Sequence, residues 1–183
     1  GFDTASATLM AEWDPYDQNT SAPYLDPEWM FNVGDGFDMV IGNPPYVRQE
    51  EIKEQKPALS QSYQCFRSTA DLLVYFYELG CRLLKQGGVL TLITSNKFFR
   101  AGYGDKLREY LAANMRVRQI IDFGDAPVFE ATAYPCIVVM SRDATADTDN
   151  EFLALNWTPG DPVAFFVDIF RQRAFRVKQS RLA

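Results

Sequence analysis

The sequence predicts an α/β domain, and three observations carry that reading. Short apolar runs bounded by glycine or proline recur at residues 37–41, 88–96, 117–123 and 136–142. Helical spacing of apolar residues fills two of the gaps between them, at 69–85 and 103–114. Buried strands separated by helices build parallel βα units.

Residues 1–36 are rich in Asp, Pro, Trp and Tyr and show little periodicity. AEWDPYDQN and YLDPEWMF predict ordered loops pinned by aromatic side chains. Phe37–Ile41 predicts a buried strand, because the run is short, partly β-branched and bounded by Gly36 and Gly42. Two prolines then follow Asn43, and neither donates an N–H or continues a ladder. The chain must leave the sheet at Asn43 and hold a stiff, extended turn through Tyr46. The polar stretch RQEEIKEQKPALSQSYQCF predicts a mobile or partly helical connection. Thr69–Lys85 predicts the clearest helix: Leu72, Phe76, Leu79, Leu83 and Leu84 share a face, Asp71 lies in the first turn, and Gly87-Gly88 ends it. GVLTLITSN predicts the second strand, Tyr103–Asn114 the second helix, VRQIIDF and CIVVMSR the last two strands, with the loop GDAPVFEATAYP between them.

Composition removes several function classes. With 183 residues and 47% hydrophobic content, the chain suits one globular domain with a buried core. No apolar run is long enough to span a bilayer, and no signal peptide opens the chain, so no membrane partner is expected. Cys65, Cys81 and Cys136 are odd in number and widely spaced, which predicts free thiols, no zinc pattern and a reducing, cytoplasmic compartment. Histidine is absent, which removes the commonest general base and zinc ligand; no metal site is expected. A net charge of −6 argues against a whole-surface grip on nucleic acid. The tail FRQRAFRVKQSR nevertheless holds five basic residues and no acidic one. It reads either as a solvated face or as a phosphate-facing entry.

The NPPY turn sits at the carboxyl end of a strand, where ligands bind in open parallel sheets. An asparagine oxygen beside a proline carbonyl offers two acceptors for both hydrogens of an exocyclic amino group, such as that of adenine. Holding those hydrogens out of the ring plane frees the nitrogen lone pair for attack, by orientation and electrostatics and without histidine. The tyrosine face suits stacking on an unpaired base. The alternative for these four residues is a plain structural turn.

DGFDMVIGNPPYVRQE, DLLVYFYELGCRLLKQGGVLTLITSNKFFRAGYGDKLREYL and IIDFGDAPVFEATAYPCIVV, in this order, resemble the adenine-N6 DNA methyltransferases. They are most similar to methylase modules of fused restriction–modification enzymes and of phage-defence systems. Glutamine methyltransferases that act on release factors also carry NPPY. The resemblance covers most of residues 12 to 142. It implies a partial Rossmann-like class I methyltransferase domain with four strands, the last antiparallel. It also implies that Asn43 and the Pro44 carbonyl hold the adenine amino group, that Tyr46 and Phe129 stack on a flipped base, and that Pro45 lies against S-adenosylmethionine. Phe129 as a core aromatic and Tyr134 as the base clamp are the alternatives. For Asn96 and Lys97 a strand-terminal cap stands against a phosphate or base contact.

Nothing ahead of residue 37 matches the family's glycine loop and acidic donor-binding residues. The resemblance therefore implies three parts: an aromatic-rich leader at 1–36, the catalytic half at 37–142, and a linker with a basic tail at 143–183 towards a missing domain. Expected partners are double-stranded DNA, the missing methyltransferase half and a target-recognition domain, with homo-oligomers forming through the exposed flank of the first strand. Alone, the chain is expected to be inactive and to bind S-adenosylmethionine weakly. Other readings are methylation of protein glutamine or RNA adenine, or a catalytically silent binding scaffold.

Overall fold

A computed structural model describes residues 8, 11, 14, 27–126, 128, 129, 134–143 and 150–182. The chain divides into two units at Gly36. In the first, Pro27–Phe31 forms helix α1 rather than the expected loop. Pro27 suits the first helical turn, and Asn32, with φ 55°, is the left-handed residue that ends it. The stretch AEWDPYDQN, apart from Ala11 and Asp14, and the leader aromatics Trp13, Tyr16 and Tyr24 lie outside the described residues.

The second unit is one six-stranded sheet with order β1-β2-β4-β3-β5-β6. Its strands are β1 (Phe37–Gly42), β2 (Leu84–Ser95), β3 (Arg116–Asp122), β4 (Pro135–Ser141), β5 (Glu151–Asn156) and β6 (Phe175–Lys178). β1 pairs parallel with β2, and β3 pairs parallel with β5. β4 runs antiparallel between β2 and β3, and β6 antiparallel to β5. Four strands therefore point one way. The sheet is mostly parallel with β4 and β6 reversed, and the reversal of β4 is as expected for the class I methyltransferase fold.

Two strands go beyond the expected four. Residues 151–178, read as linker and tail, supply β5, helix α5 (Phe166–Arg173) and β6. Phe152 and Leu155 are buried, and Trp157 packs with Phe123 and Phe166 in a second apolar cluster. A buried polar network holds the tail in place. Gln179 accepts from the Val117 amide (2.9 Å) and from Asn150 Nδ2 (2.9 Å), and donates to the Met115 carbonyl (2.8 Å). Three of the tail's basic residues are paired: Arg171 with Asp168, Arg173 with Asp161 and Arg176 with Glu151.

The polar connection after NPPY is a 3-10 turn and the short helix α2 (Lys56–Ser62). Helix α3 (Leu73–Leu83) is shorter than expected, because β2 begins at once at Leu84 and takes Gly87-Gly88 into the sheet. α3 buries Val74, Tyr77 and Cys81, and a Cβ on Gly80 would meet Leu90 Cδ1 at 2.6 Å, so a larger residue there would have to push the buried Leu90 side chain aside. Helix α4 is Asp105–Asn114. β1, predicted as a buried strand, is an outer strand of the sheet, with Met39 60% and Ile41 74% exposed. No helix among the described residues is long and apolar enough to cross a membrane.

Candidate active site

The carboxyl ends of β1 and β2 and the β3–β4 connection converge on one end of the sheet, since Ser95 pairs with Pro135 and Asp122 with Cys136. Asn43 leaves β1 directly after Gly42, Pro44 is buried, and Tyr46 is partly exposed. The exit from the turn is tied to the start of α3. The Val47 amide donates to the Pro45 carbonyl (2.9 Å), the Leu72 amide to the Val47 carbonyl (3.1 Å), and the Gln49 amide to Asp71 Oδ1 (3.1 Å). Two prolines and three hydrogen bonds therefore preorganise Asn43–Tyr46. Nothing among the described residues donates to the Asn43 side chain or the Pro44 carbonyl, so both acceptors remain for a ligand.

A cavity of 390 Å³ opens at this turn, within the range of about 300–1,000 Å³ for small-molecule sites. The whole stretch Asn43–Arg48 lines it, with Asp71 just ahead of α3, Leu73 at the start of that helix, Thr94, Ser95 and Lys97 around the end of β2, and Phe129 from the β3–β4 connection. Tyr46 and Phe129 meet there edge to face, centroids 6.0 Å apart. Asn43, Pro44 and Pro45 also line a second cavity, of 290 Å³, whose other walls are Val40, Ile41, Gly42, Leu92 and the α3 residues Phe76, Leu79, Gly80 and Leu83. The turn thus stands between a pocket of mixed polar and aromatic lining and an apolar one.

The first pocket offers acceptors and aromatic faces. Burial, with the nearby Cys136 adding, pushes the Tyr46 phenol up and keeps it neutral. Burial pushes the Cys136 thiol up to about 12, so it stays protonated. Under the floor, the Tyr77 and Thr94 hydroxyls are 2.9 Å apart and fix that wall. Among the described residues no group of three or more His, Cys, Asp or Glu side chains could hold a metal.

Asn43, Pro44, Pro45, Tyr46 and Phe129, all singled out in the sequence, come together in this lining. Tyr134 does not line it; it is 41% exposed, with Lys97 Nζ 5.9 Å from its ring centre. Lys97 faces the pocket, whereas Asn96 donates its side-chain amide to Asp122 Oδ1 (2.9 Å). Arg48, Asp71, Thr94 and Ser95 are lining residues that the motif reading passed over. The position of Thr94-Ser95 at the end of a parallel strand was the available signal.

A family model described as Eco57I restriction-modification methylase matches residues 6–129. The type II methyltransferase M.BstVI of Geobacillus stearothermophilus is 41% identical over 107 residues, covering 57% of this chain and 19% of that protein. M.PaeR7I of Pseudomonas aeruginosa is 36% identical over 115 residues, covering 61% and 20%. The chain thus spans about a fifth of the length of these relatives. Among solved structures, a Listeria monocytogenes protein classed with the class I S-adenosylmethionine-dependent methyltransferases aligns with a TM-score of 0.56 at 20% identity, over 75% of this chain and 42% of that one. The type IIG restriction endonuclease BpuSI aligns with a TM-score of 0.58 at 20% identity, over 86% and 20%.

Proposed function

We propose that this chain, which belongs to the Eco57I restriction-modification methylase family, supplies the catalytic part of a site-specific DNA adenine-N6 methyltransferase. The observation that carries the reading is the placement of Asn43 and the buried Pro44 in one pocket with the two aromatic rings of Tyr46 and Phe129. Type II methyltransferases and restriction enzymes are the relatives, and one structural neighbour of TM-score 0.56, the type ISP enzyme LlaGI, was solved with a DNA substrate mimic. DNA is therefore the substrate class assigned.

In this mechanism the target adenine leaves the duplex, because its amino group cannot be reached inside the stack. Tyr46 and Phe129 take the two ring faces. Asn43 Oδ1 and the Pro44 carbonyl each accept one N–H of the amino group and turn both out of the ring plane. The nitrogen lone pair, no longer delocalised into the ring, points away from these acceptors. The same two oxygens would stabilise the positive charge that builds on the nitrogen as it takes the methyl. The bond from that methyl to the sulfonium sulfur would break in the same step and release a neutral thioether, and the surplus N–H proton would then pass to water. S-adenosylmethionine, when bound, supplies an electrophilic methyl on a sulfonium sulfur. Pro45, at the same turn, would lie against it. The residues present fit that end of the donor only. Among the described residues, Asp71 is the one carboxylate lining the first pocket, its Oδ1 is committed to the Gln49 amide, and no charged residue lines the second cavity. The acceptors for the donor's ribose and ammonium groups are proposed to come from a separate half of the methyltransferase, and site recognition from a further domain.

The test is nucleoside mass spectrometry of duplex DNA after incubation with the intact methyltransferase and isotopically labelled S-adenosylmethionine. N6-methyladenine is expected. N4-methylcytosine, or label in RNA or protein glutamine instead, would overturn the assignment.

A further inference from the structure

Phe129 lies on the connection between β3 and β4, and Asn96 bonds both ends of that connection, one through its side chain and one through its main-chain amide. Asp122, the last residue of β3, receives two hydrogen bonds on one oxygen. Its Oδ1 accepts from the Gly124 amide (2.9 Å), an i to i+2 bond that shapes the turn out of the strand, and from Asn96 Nδ2 (2.9 Å). A carboxylate only accepts, so the Asn96 amide must present its nitrogen there. At the other end, the Asn96 backbone amide donates to the Tyr134 carbonyl (2.9 Å). Asn96 therefore joins the exit of β3 to the entry of β4, from the end of the strand whose Thr94 and Ser95 line the pocket. Gly124 takes φ 56° in this turn, and Tyr134 takes φ 45°, a conformation that a tyrosine holds only against a cost.

We propose that Asp122 and Asn96 are positioning residues for methyl transfer: together they hold the connection that sets Phe129 against Tyr46. They touch neither the base nor the donor and act through the Phe129 ring. The inference rests on the proposed adenine-N6 methyltransferase reading. Its reason is geometric. A polar side chain that served only to cap β2 would bond within its own turn, as Ser95 Oγ does with the Lys97 amide. Asn96 instead spends its side chain and its main-chain amide on the two ends of one neighbouring connection. Displacing a stacking group by about 1 Å can cost on the order of 10²-fold in rate.

The test uses the intact methyltransferase with Asp122→Ala, Asn96→Ala, Asp122→Asn and Phe129→Ala, measuring turnover, KM for S-adenosylmethionine, thermal unfolding, and emission of 2-aminopurine placed at the target adenine. Asp122→Ala and Asn96→Ala are expected to lower turnover by roughly 10- to 100-fold and to change the 2-aminopurine signal, with KM for the donor unchanged. Asp122→Asn keeps the oxygen acceptor and should restore most of both. In the Phe129→Ala background, Asp122→Ala should cost less than about twofold more, since the two act through one ring. Wild-type turnover in Asp122→Ala, full additivity with Phe129→Ala, or a folded Asp122→Asn as impaired as Asp122→Ala would each overturn the proposal. If the wild-type enzyme places no methyl on adenine, the underlying reading fails instead. Amide exchange at Gly124 and Asn96 then decides the anchor: faster exchange in Asp122→Ala supports it, and unchanged exchange overturns it.

Discussion

Tyr46 and Phe129 meet edge to face across the pocket, ring centroids 6.0 Å apart and planes inclined at 65°. A base held between two aromatic faces needs about 3.5 Å on each side, so about 7 Å between the rings. The rings must therefore part and align when a base enters, and the contact they make without it is what the base replaces.

The proposed reading makes Phe129, which lines the pocket, rather than Tyr134 the second clamp. Phe129→Ala should weaken capture of the target base by about 1–3 kcal/mol, read as a higher KM for DNA and altered 2-aminopurine emission. Tyr134→Ala should leave both near wild type, because Tyr134 stands outside the pocket lining. The reverse order would exchange the two roles.

The tail belongs to the sheet. Gln179→Ala strips the Val117 amide, the Asn150 amide and the Met115 carbonyl of a buried partner. A loss of about 1–3 kcal/mol in urea unfolding is expected. Unchanged stability would show that the network contributes nothing to holding β5 and β6.

Stability should fall at alkaline pH. Burial raises the Cys81 and Cys136 thiols from the ordinary 9.0 to about 12. Their protonated forms are favoured in the folded state, so this contribution is complete below pH 9. Between about pH 9 and 12 the unfolded chain releases thiol protons that the folded chain retains, and stability declines with rising pH. Denaturant unfolding across that window measures it, and replacing either cysteine by alanine should flatten the slope.

β1 should drive self-association of the isolated chain. It is an outer strand that exposes Met39 and Ile41, guarded by the Asp38–Lys85 pair at 2.5 Å. Outer strands of this kind pair with other chains unless charge or proline blocks them. Sedimentation should show association that grows with concentration and weakens in Ile41→Lys. A strict monomer at high concentration contradicts it.

The central sheet and the turn at Asn43 were legible because local chemistry determines them: β-branched runs, two adjacent prolines, an apolar helical face. β5 and β6 were not. FLALN follows an acidic stretch and precedes a basic one, and charge drew the reading towards linker and tail. What fixes the tail is Gln179, whose partner Val117 lies 62 residues away, a pairing that no local pattern encodes. Gly87-Gly88 misled for a similar reason. It reads as a helix stop, but the Gly87 amide donates to the Arg142 carbonyl (2.6 Å) and the Gly88 carbonyl accepts from the Arg142 amide (2.8 Å). The partner that draws these glycines into β2 stands more than fifty positions further along the chain. At the site, Asn43, Pro44 and Tyr46 were visible as a motif. Asp71 and Asp122 stand out only through partners that the fold brings to them, the Gln49 amide and the Asn96 side chain.

Asn43→Ala in the intact methyltransferase tests the central claim most directly. The lost acceptor acts on the reacting nitrogen as charge develops, so turnover should fall by about 10²- to 10³-fold, while affinities for S-adenosylmethionine and DNA stay near wild type. Turnover close to wild type in a folded Asn43→Ala enzyme would contradict the assignment of this turn as the catalytic centre.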